Sequence, residues 1–140
     1  MTVAVTIRTG DATDAGAVLE LWRDADAAES MTDDEAALRV LVERDPDALL
    51  IAEEDGVPVG TLLVGWDGWR GALYRLAVLP DRRRRGIARL LVDEAERRLR
   101  VLGARRVAAM VITDHDEAVG FWSGVGYEGD PRLGRFVRML

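Results

Sequence analysis

Hydrophobic and polar positions alternate at the start of the chain and then change to helical spacing. Val3–Arg8 alternates apolar with polar residues, which predicts a half-buried strand. Apolar residues three and four positions apart follow, which predicts a first helix capped by Asp11 or Thr13. Thr32 and Glu35 match a capping box and predict the start of a second helix. The chain therefore begins with one strand and two helices.

Three consecutive strands are predicted next. Ala48–Glu53 is an apolar run, and Asp55-Gly56 after it is a strong two-residue hairpin signal. Val57–Trp66 is then the partner strand. A second turn at Trp66–Trp69 leads into Ala72–Leu79. These segments predict the antiparallel centre of a sheet.

The remaining segments predict a mixed α/β (α+β) domain. An amphipathic helix runs from about residue 86 to 102 and is followed by a strand, Arg106–Thr113. A short helix over Asp116–Ser123 precedes two last strands, near Tyr127–Glu128 and Arg135–Leu140. The order is β-α-α-β-β-β-α-β-α-β-β around a central sheet. A length of 140 residues predicts a single domain over 1–140.

Composition excludes several classes of function. The chain has no cysteine, which excludes disulfides, thiolate metal sites and a covalent intermediate on cysteine. No apolar run approaches the ~20 residues of a membrane span, and the first residues do not match a signal peptide. We therefore expect a cytoplasmic protein with no membrane partner and no metal.

Charge is divided unevenly along the chain. Residues 1–60 hold 15 acidic residues and 4 arginines, a net charge of −11, and the remainder carries +5. Ten of the nineteen arginines fall between Arg82 and Arg106. This division suits an anionic cofactor in the basic part and a cationic acceptor in the acidic part. Charged helix faces that only keep the protein soluble explain the acidic half equally well.

The segment from Tyr74 to Arg89 carries the clearest chemical signal. A strand ends at Pro80, four arginines follow, and Gly86 opens an amphipathic helix. Backbone N–H groups at a helix start attract anions, and arginines add charge-assisted hydrogen bonds to phosphate oxygens. Gly86 lets the backbone approach a ligand closely. The segment predicts a phosphate site.

The same segment resembles the GNAT superfamily of acetyl-CoA-dependent N-acetyltransferases. Its pyrophosphate loop reads Arg/Gln-x-x-Gly-x-Gly/Ala after a strand, and this chain has Arg83-x-x-Gly86-x-Ala88. The element order and a downstream Phe121-Trp122-x-x-x-Gly126-Tyr127 segment extend the likeness over nearly the whole chain. The resemblance implies acetyl transfer from acetyl-CoA to a primary amine in a ternary complex.

The resemblance also implies roles by position. A backbone N–H at Leu76 or Ala77 would polarise the thioester carbonyl, and Tyr74 is a further candidate for acid or base. The implied cofactor contacts are Leu76, Ala77, Val78, Arg83, Arg84, Arg85, Gly86, Ile87, Ala88, Arg89, His115, Phe121 and Trp122. For several of these an ordinary structural role, in a core strand or as a helix anchor, stays open.

The chain departs from the family at its acid and base. His115 stands where the family commonly has a cofactor-binding asparagine, and Trp122 where it has the tyrosine that protonates the thiolate. Indole is only a donor and does not titrate near neutral pH. Met110 occupies the position of a glutamate base, and no carboxylate flanks Tyr74 in the sequence. Water could instead accept the amine proton, and a thiolate of pKa ~8.5 is a tolerable leaving group.

Two other readings remain. The missing tyrosine and glutamate are compatible with a GNAT-fold protein that binds CoA without catalysis. A nucleic-acid module using Arg82–Arg85 is disfavoured, because the front half is acidic and no aromatic residues flank the run. The expected partner is a small-molecule or peptide amine, not nucleic acid, and a homodimer stays open. The candidate acceptor residues are Glu20, Trp22, Asp24, Asp26, Trp66, Trp69 and Tyr74.

Overall fold

A computed structural model describes residues 4–25, 27 and 30–140. It forms two compact units, Met1–Met110 and Val111–Leu140, which are described separately below. Val3 of the first expected strand and Asp26 of the expected acceptor site lie outside the described residues. The single domain over residues 1–140 stays a prediction.

The first unit is built on a five-stranded mixed sheet. The strands are β1 (Val5–Thr9), β2 (Leu49–Glu54), β3 (Val57–Trp66), β4 (Gly71–Val78) and β5 (Val107–Ala109). They lie side by side in the order β1-β2-β3-β4-β5. The first four pair antiparallel, and β5 pairs parallel to β4. The α/β fold class is confirmed.

The described residues form four α-helices. In the first unit these are α1 (Ala15–Asp24), α2 (Glu35–Arg44) and α3 (Ile87–Leu102), and the second unit contains α4 (Asp116–Gly124). Asp11 caps the short 3-10 turn that leads into α1. The expectation that Thr32 caps α2 is wrong. The helix begins at Glu35, and the preceding residue, Asp34, accepts a hydrogen bond from the N–H of Ala37 at 2.7 Å. Thr32 lies two residues too early, in a turn with Ser30.

Helices cover both faces of the sheet in the first unit. Buried residues of α1 and α2 form one core cluster with strand residues such as Ile51 and Leu63. Helix α3 packs on the other face, where strand glycines let it approach. A Cβ built on Gly60 would lie 3.2 Å from Leu91 Cδ1, and one on Gly71 only 2.6 Å from Leu99 Cδ1. This close packing fixes α3 along β3 and β4.

The end of the chain differs from the expectation. The strand expected at Arg106–Thr113 spans only Val107–Ala109, because only these residues pair with β4; a turn in which His115 N donates to Ile112 O comes later in the chain. The two expected last strands, near Tyr127–Glu128 and Arg135–Leu140, are wrong: residues 125–140 hold no strand. Alternation marks which side chains would share a face, but a strand also needs a backbone partner, which local sequence does not reveal. None of the described helices is long and apolar enough to cross a membrane.

Candidate functional site

Strand β4 carries a bulge at its centre. Leu63 of β3 pairs with Tyr74, whereas Thr61 pairs with Ala77, so three steps along β4 face two steps along β3. Arg75 lies in the bulge with φ of 59°. This left-handed conformation costs a non-glycine residue roughly 1–2 kcal/mol. A strained bulge in a central strand is a feature of functional sites.

The bulge changes which side of β4 each main-chain N–H and carbonyl group faces. Before the bulge, the carbonyl of Leu73 accepts a hydrogen bond from the N–H of Met110, which directly follows β5, so the Leu73 carbonyl faces the β5 side. After it, Leu79 N donates to Val59 O, towards β3. Main-chain groups alternate in direction along an antiparallel strand. Leu76 and Val78, which alternate with Leu79, therefore direct their N–H groups to the β5 side.

No strand of the described chain covers that part of β4. Pairing with β5 involves only Gly71–Leu73, although β4 continues to Val78. The main-chain groups of an open strand edge bind extended groups that carry amides of their own. The second half of β4 is such an edge.

Arg83 secures the loop that follows β4. Its Nε donates to the carbonyl of Val78 at 3.1 Å, and its Nη2 donates to the carbonyl of Ala25 at 2.9 Å. The guanidinium thus ties the start of the arginine-rich loop to the end of β4 and to the end of α1. These bonds give Arg83 a clear structural task in shaping the loop.

The other loop arginines divide into paired and unpaired groups. Glu54 Oε2 lies 3.5 Å from Arg82 Nε and 3.3 Å from Arg85 Nη1. Arg84 and Arg89 are exposed, and neither side chain makes an ion pair or hydrogen bond with a described residue. Two guanidinium groups beside the loop therefore remain for an anion.

Helix α3 begins at this loop with an exposed N-terminus. Its N-cap is Gly86, with φ of 80° and no side chain to cap the helix. The N–H groups of Ile87, Ala88 and Arg89 find no acceptor among the described residues. A Cβ built on Gly86 would meet nothing within 4 Å, so the approach is open. Free N–H groups, the positive helix end and nearby arginines together form an anion site.

Tyr74 lies one residue before the bulge and is half-buried. Burial raises the pKa of Tyr74 above its usual value, and the nearby charge of Asp45 adds to the shift. A phenol with a raised pKa stays protonated near neutral pH and can donate a hydrogen bond, but it is a poor base. The raised pKa of Tyr74 therefore favours the acid role over the base role.

A pocket of about 230 Å³ opens beside helix α1. Trp22, an expected acceptor residue, lines it. The expected Glu20 and Asp24 are exposed elsewhere on the helix, and Trp66 and Trp69 lie at the β3–β4 turn. The other lining residues are Leu19, Arg23, Ala27, Ser30 and Asp33. Sequence reasoning missed Asp33 and its partner Arg75, because 42 residues separate them.

The second unit holds the remaining predicted residues. His115 is the exposed N-cap residue of α4 and makes no side-chain cap. Trp122 is buried and packs edge-on against Phe121 and Tyr127, with ring centres 5.4 and 4.9 Å apart. This packing explains Phe121 and Trp122 as helix anchors, and their cofactor contacts stay predictions. The described residues contain no group of three or more His, Asp or Glu arranged to hold a metal.

Comparison with known proteins gives one consistent family. The model of the acetyltransferase (GNAT) family matches residues 16–127. An acetyltransferase of Pectobacterium atrosepticum is 38% identical over 112 residues, 80% of this chain and 79% of that protein. One of Sodalis glossinidius is 37% identical over 111 residues, 79% of this chain and 78% of that protein.

Solved structures agree at the level of the fold. Ard1 from Thermoplasma volcanium superposes with a TM-score of 0.79 at 24% identity, covering 89% of this chain and 82% of its own. The aminoglycoside N-acetyltransferase AAC(6')-Iy in complex with CoA superposes with a TM-score of 0.77 at 19% identity, covering 100% of this chain and 98% of its own. The PaiA N-acetyltransferase from Thermoplasma acidophilum in complex with coenzyme A gives 0.76 at 16%, covering 91% of each.

Proposed function

Because the chain belongs to the acetyltransferase (GNAT) family, we propose that it transfers the acetyl group of acetyl-CoA to a primary amine by direct attack in a ternary complex. The open edge of β4, which runs into the arginine loop and the N-terminus of α3, is the observation that supports this most. A long cofactor that carries amides at one end and phosphates at the other matches an open strand edge that leads into an anion site.

We assign the phosphate end of acetyl-CoA to the arginine-rich loop between β4 and α3. The N–H groups of Ile87, Ala88 and Arg89 would donate to the pyrophosphate, with Gly86 allowing the close approach. The side chain of Arg84 would add a charge-assisted bond. Arg83 would act indirectly, because its guanidinium already holds main-chain carbonyls.

The amide end is assigned to β4. The main-chain groups of Leu76 and the N–H of Val78 are directed to the open edge and would pair with the pantetheine amides, whereas the carbonyl of Val78 already accepts from Arg83 Nε. The Leu76 N–H is preferred over that of Ala77 as donor to the thioester carbonyl oxygen, because Ala77 is directed to β3. Such a donor would stabilise the negative charge that develops on this oxygen.

Bond changes in the proposed reaction are few. The neutral amine nitrogen bonds to the carbonyl carbon, the carbon–sulfur bond breaks, and CoA leaves as a thiolate that then gains a proton. Water takes the proton from the amine, and positioning supplies most of the rate. Tyr74, held protonated by burial, is a candidate to return a proton to the thiolate.

The acceptor is proposed to be a neutral or cationic amine. Residues 1–60 carry a net charge of −11 and include the helix and connection that line the pocket. A field of this sign attracts cations and repels dicarboxylates. Some structural neighbours are aminoglycoside acetyltransferases, one in complex with sisomicin, so an aminoglycoside belongs among the candidates.

An amine panel scored by release of free CoA tests the proposal. Butylamine, phenylethylamine, putrescine, neamine, a peptide with a free N-terminus and glutamate cover the classes. We expect at least one neutral or cationic amine to be acetylated, with a higher kcat/KM than glutamate. The preference should weaken at high salt, because exposed charges are screened over about 10 Å at 0.1 M. Glutamate as the best acceptor would refute the charge assignment.

The alternative is a protein that binds CoA without catalysis. It is favoured by Trp122 and by Met110, whose side chain is 54% exposed and offers no acid or base where the family has one. Tight binding of acetyl-CoA, together with no CoA release for any amine of the panel, would establish this alternative. We also expect a cytoplasmic location, which cell fractionation tests.

A further inference from the structure

Arg75 and Asp33 form a shielded ion pair next to the pocket. Arg75 Nη2 lies 2.7 and 2.6 Å from the two carboxylate oxygens of Asp33. The side chains are only 20% and 18% exposed. The guanidinium also stands over the ring of Trp22, 5.1 Å from its centre. A pair this shielded from water is stronger than an ordinary surface ion pair.

The bulge in β4 is what gives Arg75 this position. Trp22 donates from Nε1 to Thr61 Oγ1 at 2.9 Å, and Thr61 Oγ1 donates to the carbonyl of Arg75 at 3.3 Å. Thr61 is completely buried. Side chain and main chain of Arg75 are therefore both tied to Trp22, and this network offsets the strained φ of 59°.

The pair connects two parts of the molecule that the proposed reaction would use together. Asp33 lies in the connection between α1 and α2 and forms part of the pocket wall. Arg75 directly precedes Leu76, the proposed donor to the thioester carbonyl. Loss of the pair would let the pocket wall that carries Asp33 move away from the bulge, so an amine would lose contacts with that wall and bind less tightly.

We propose that Arg75 is a positioning residue that sets acceptor affinity: through Asp33 it holds the pocket wall against the β4 bulge, so that an amine in the pocket faces the Leu76 N–H. This rests on the proposed function. It assigns the acceptor to the pocket beside Trp22, and it makes the strained arginine a requirement for acceptor binding but not for cofactor binding.

Arg75→Gly is the decisive variant, because glycine accepts a φ of 59° and preserves the bulge while removing the guanidinium. Asp55→Gly is its matched control, since Asp55 also has a positive φ, 53°, and lies in the hairpin turn between β2 and β3. Asp33→Asn and the double variant Arg75→Gly/Asp33→Asn complete a double-mutant cycle. The acceptor is the panel amine with the highest kcat/KM for the native protein, and acetyl-CoA binding is measured by calorimetry.

We expect Arg75→Gly to raise the KM of the amine about tenfold or more, with kcat and the Kd of acetyl-CoA within about threefold of native. The double variant should be no worse than Arg75→Gly alone, because the two side chains act as one unit. Asp55→Gly should leave both constants unchanged.

A native amine KM in Arg75→Gly, with native turnover intact, overturns this inference and leaves the proposed function standing. Equal losses in amine KM and acetyl-CoA affinity also overturn it, because they indicate general damage to β4. A native protein that acetylates none of the amines refutes the proposed function and this inference with it.

Discussion

Replacing Gly86 by glutamate should weaken the binding of acetyl-CoA about 100-fold while the fold persists. Gly86 caps α3 in the left-handed conformation, and a Cβ there meets nothing within 4 Å. The new side chain therefore causes no clash inside the protein. It costs roughly 1–2 kcal/mol of backbone strain and points a carboxylate at the proposed phosphate site.

The loss of affinity follows from the charge. Two unit charges about 5 Å apart repel by roughly 3 kcal/mol at an effective dielectric constant of 20. That energy corresponds to a Kd increase of about 100-fold. Calorimetric titration with acetyl-CoA at low ionic strength measures it.

Gly103→Glu is the matched control. Gly103 ends the same helix with φ of 102° and likewise has nothing within 4 Å of a built Cβ. Both variants should lose similar stability in urea unfolding, but Gly103→Glu should bind acetyl-CoA like the native protein. Native affinity in a folded Gly86→Glu, or equal loss in both variants, would refute the assignment of the phosphates to this loop.

Three further changes probe packing, charge and acid catalysis. Gly71→Ala should lower the free energy of unfolding by about 1–3 kcal/mol, because its Cβ would stand 2.6 Å from Leu99 Cδ1. Urea unfolding measures this, and native stability would contradict it. The hydrogen bond from Arg97 is the main cause that holds the pKa of Glu94 at about 2, below its usual 4.5. The ionised Glu94 carboxylate therefore contributes fully to stability above pH 4.5, and this contribution is lost as the pH falls towards 2. In Glu94→Gln the free energy of unfolding should change less with pH over that range, which acid-unfolding curves measure. Trp122→Phe should preserve the shape of the pH–rate profile, because indole does not titrate there. Disappearance of the alkaline limb would show that Trp122 takes part in proton transfer.

Local patterns in the sequence predicted most of the fold. The hairpin signal at Asp55-Gly56 predicted a partner strand over Val57–Trp66, and the structure has β3 at those bounds. Helical spacing and two glycines placed α3 between its caps at Gly86 and Gly103. These elements are encoded by neighbours along the chain, so a single sequence reveals them.

Features that depend on distant partners escaped prediction. The bulge at Arg75 exists only as a register between β3 and β4, and the ion pair with Asp33 joins positions 42 residues apart. A strand was predicted near Arg135–Leu140, yet residues 135–140 are exposed and Phe136 is 99% accessible. Strand pairing and ion pairs between distant positions depend on the folded structure, and the spacing of residues along the sequence does not reveal them.

Product stoichiometry is the direct test of acetyl transfer from acetyl-CoA to an amine. The native protein would be incubated with acetyl-CoA and each panel amine, and free CoA and N-acetyl amine would be quantified by mass spectrometry. We expect one N-acetyl amine for each CoA released, no acetylated protein intermediate, and a large decrease of both products in Gly86→Glu at subsaturating acetyl-CoA. CoA release without N-acetyl amine, or no release with any amine by a protein that binds acetyl-CoA, would contradict it.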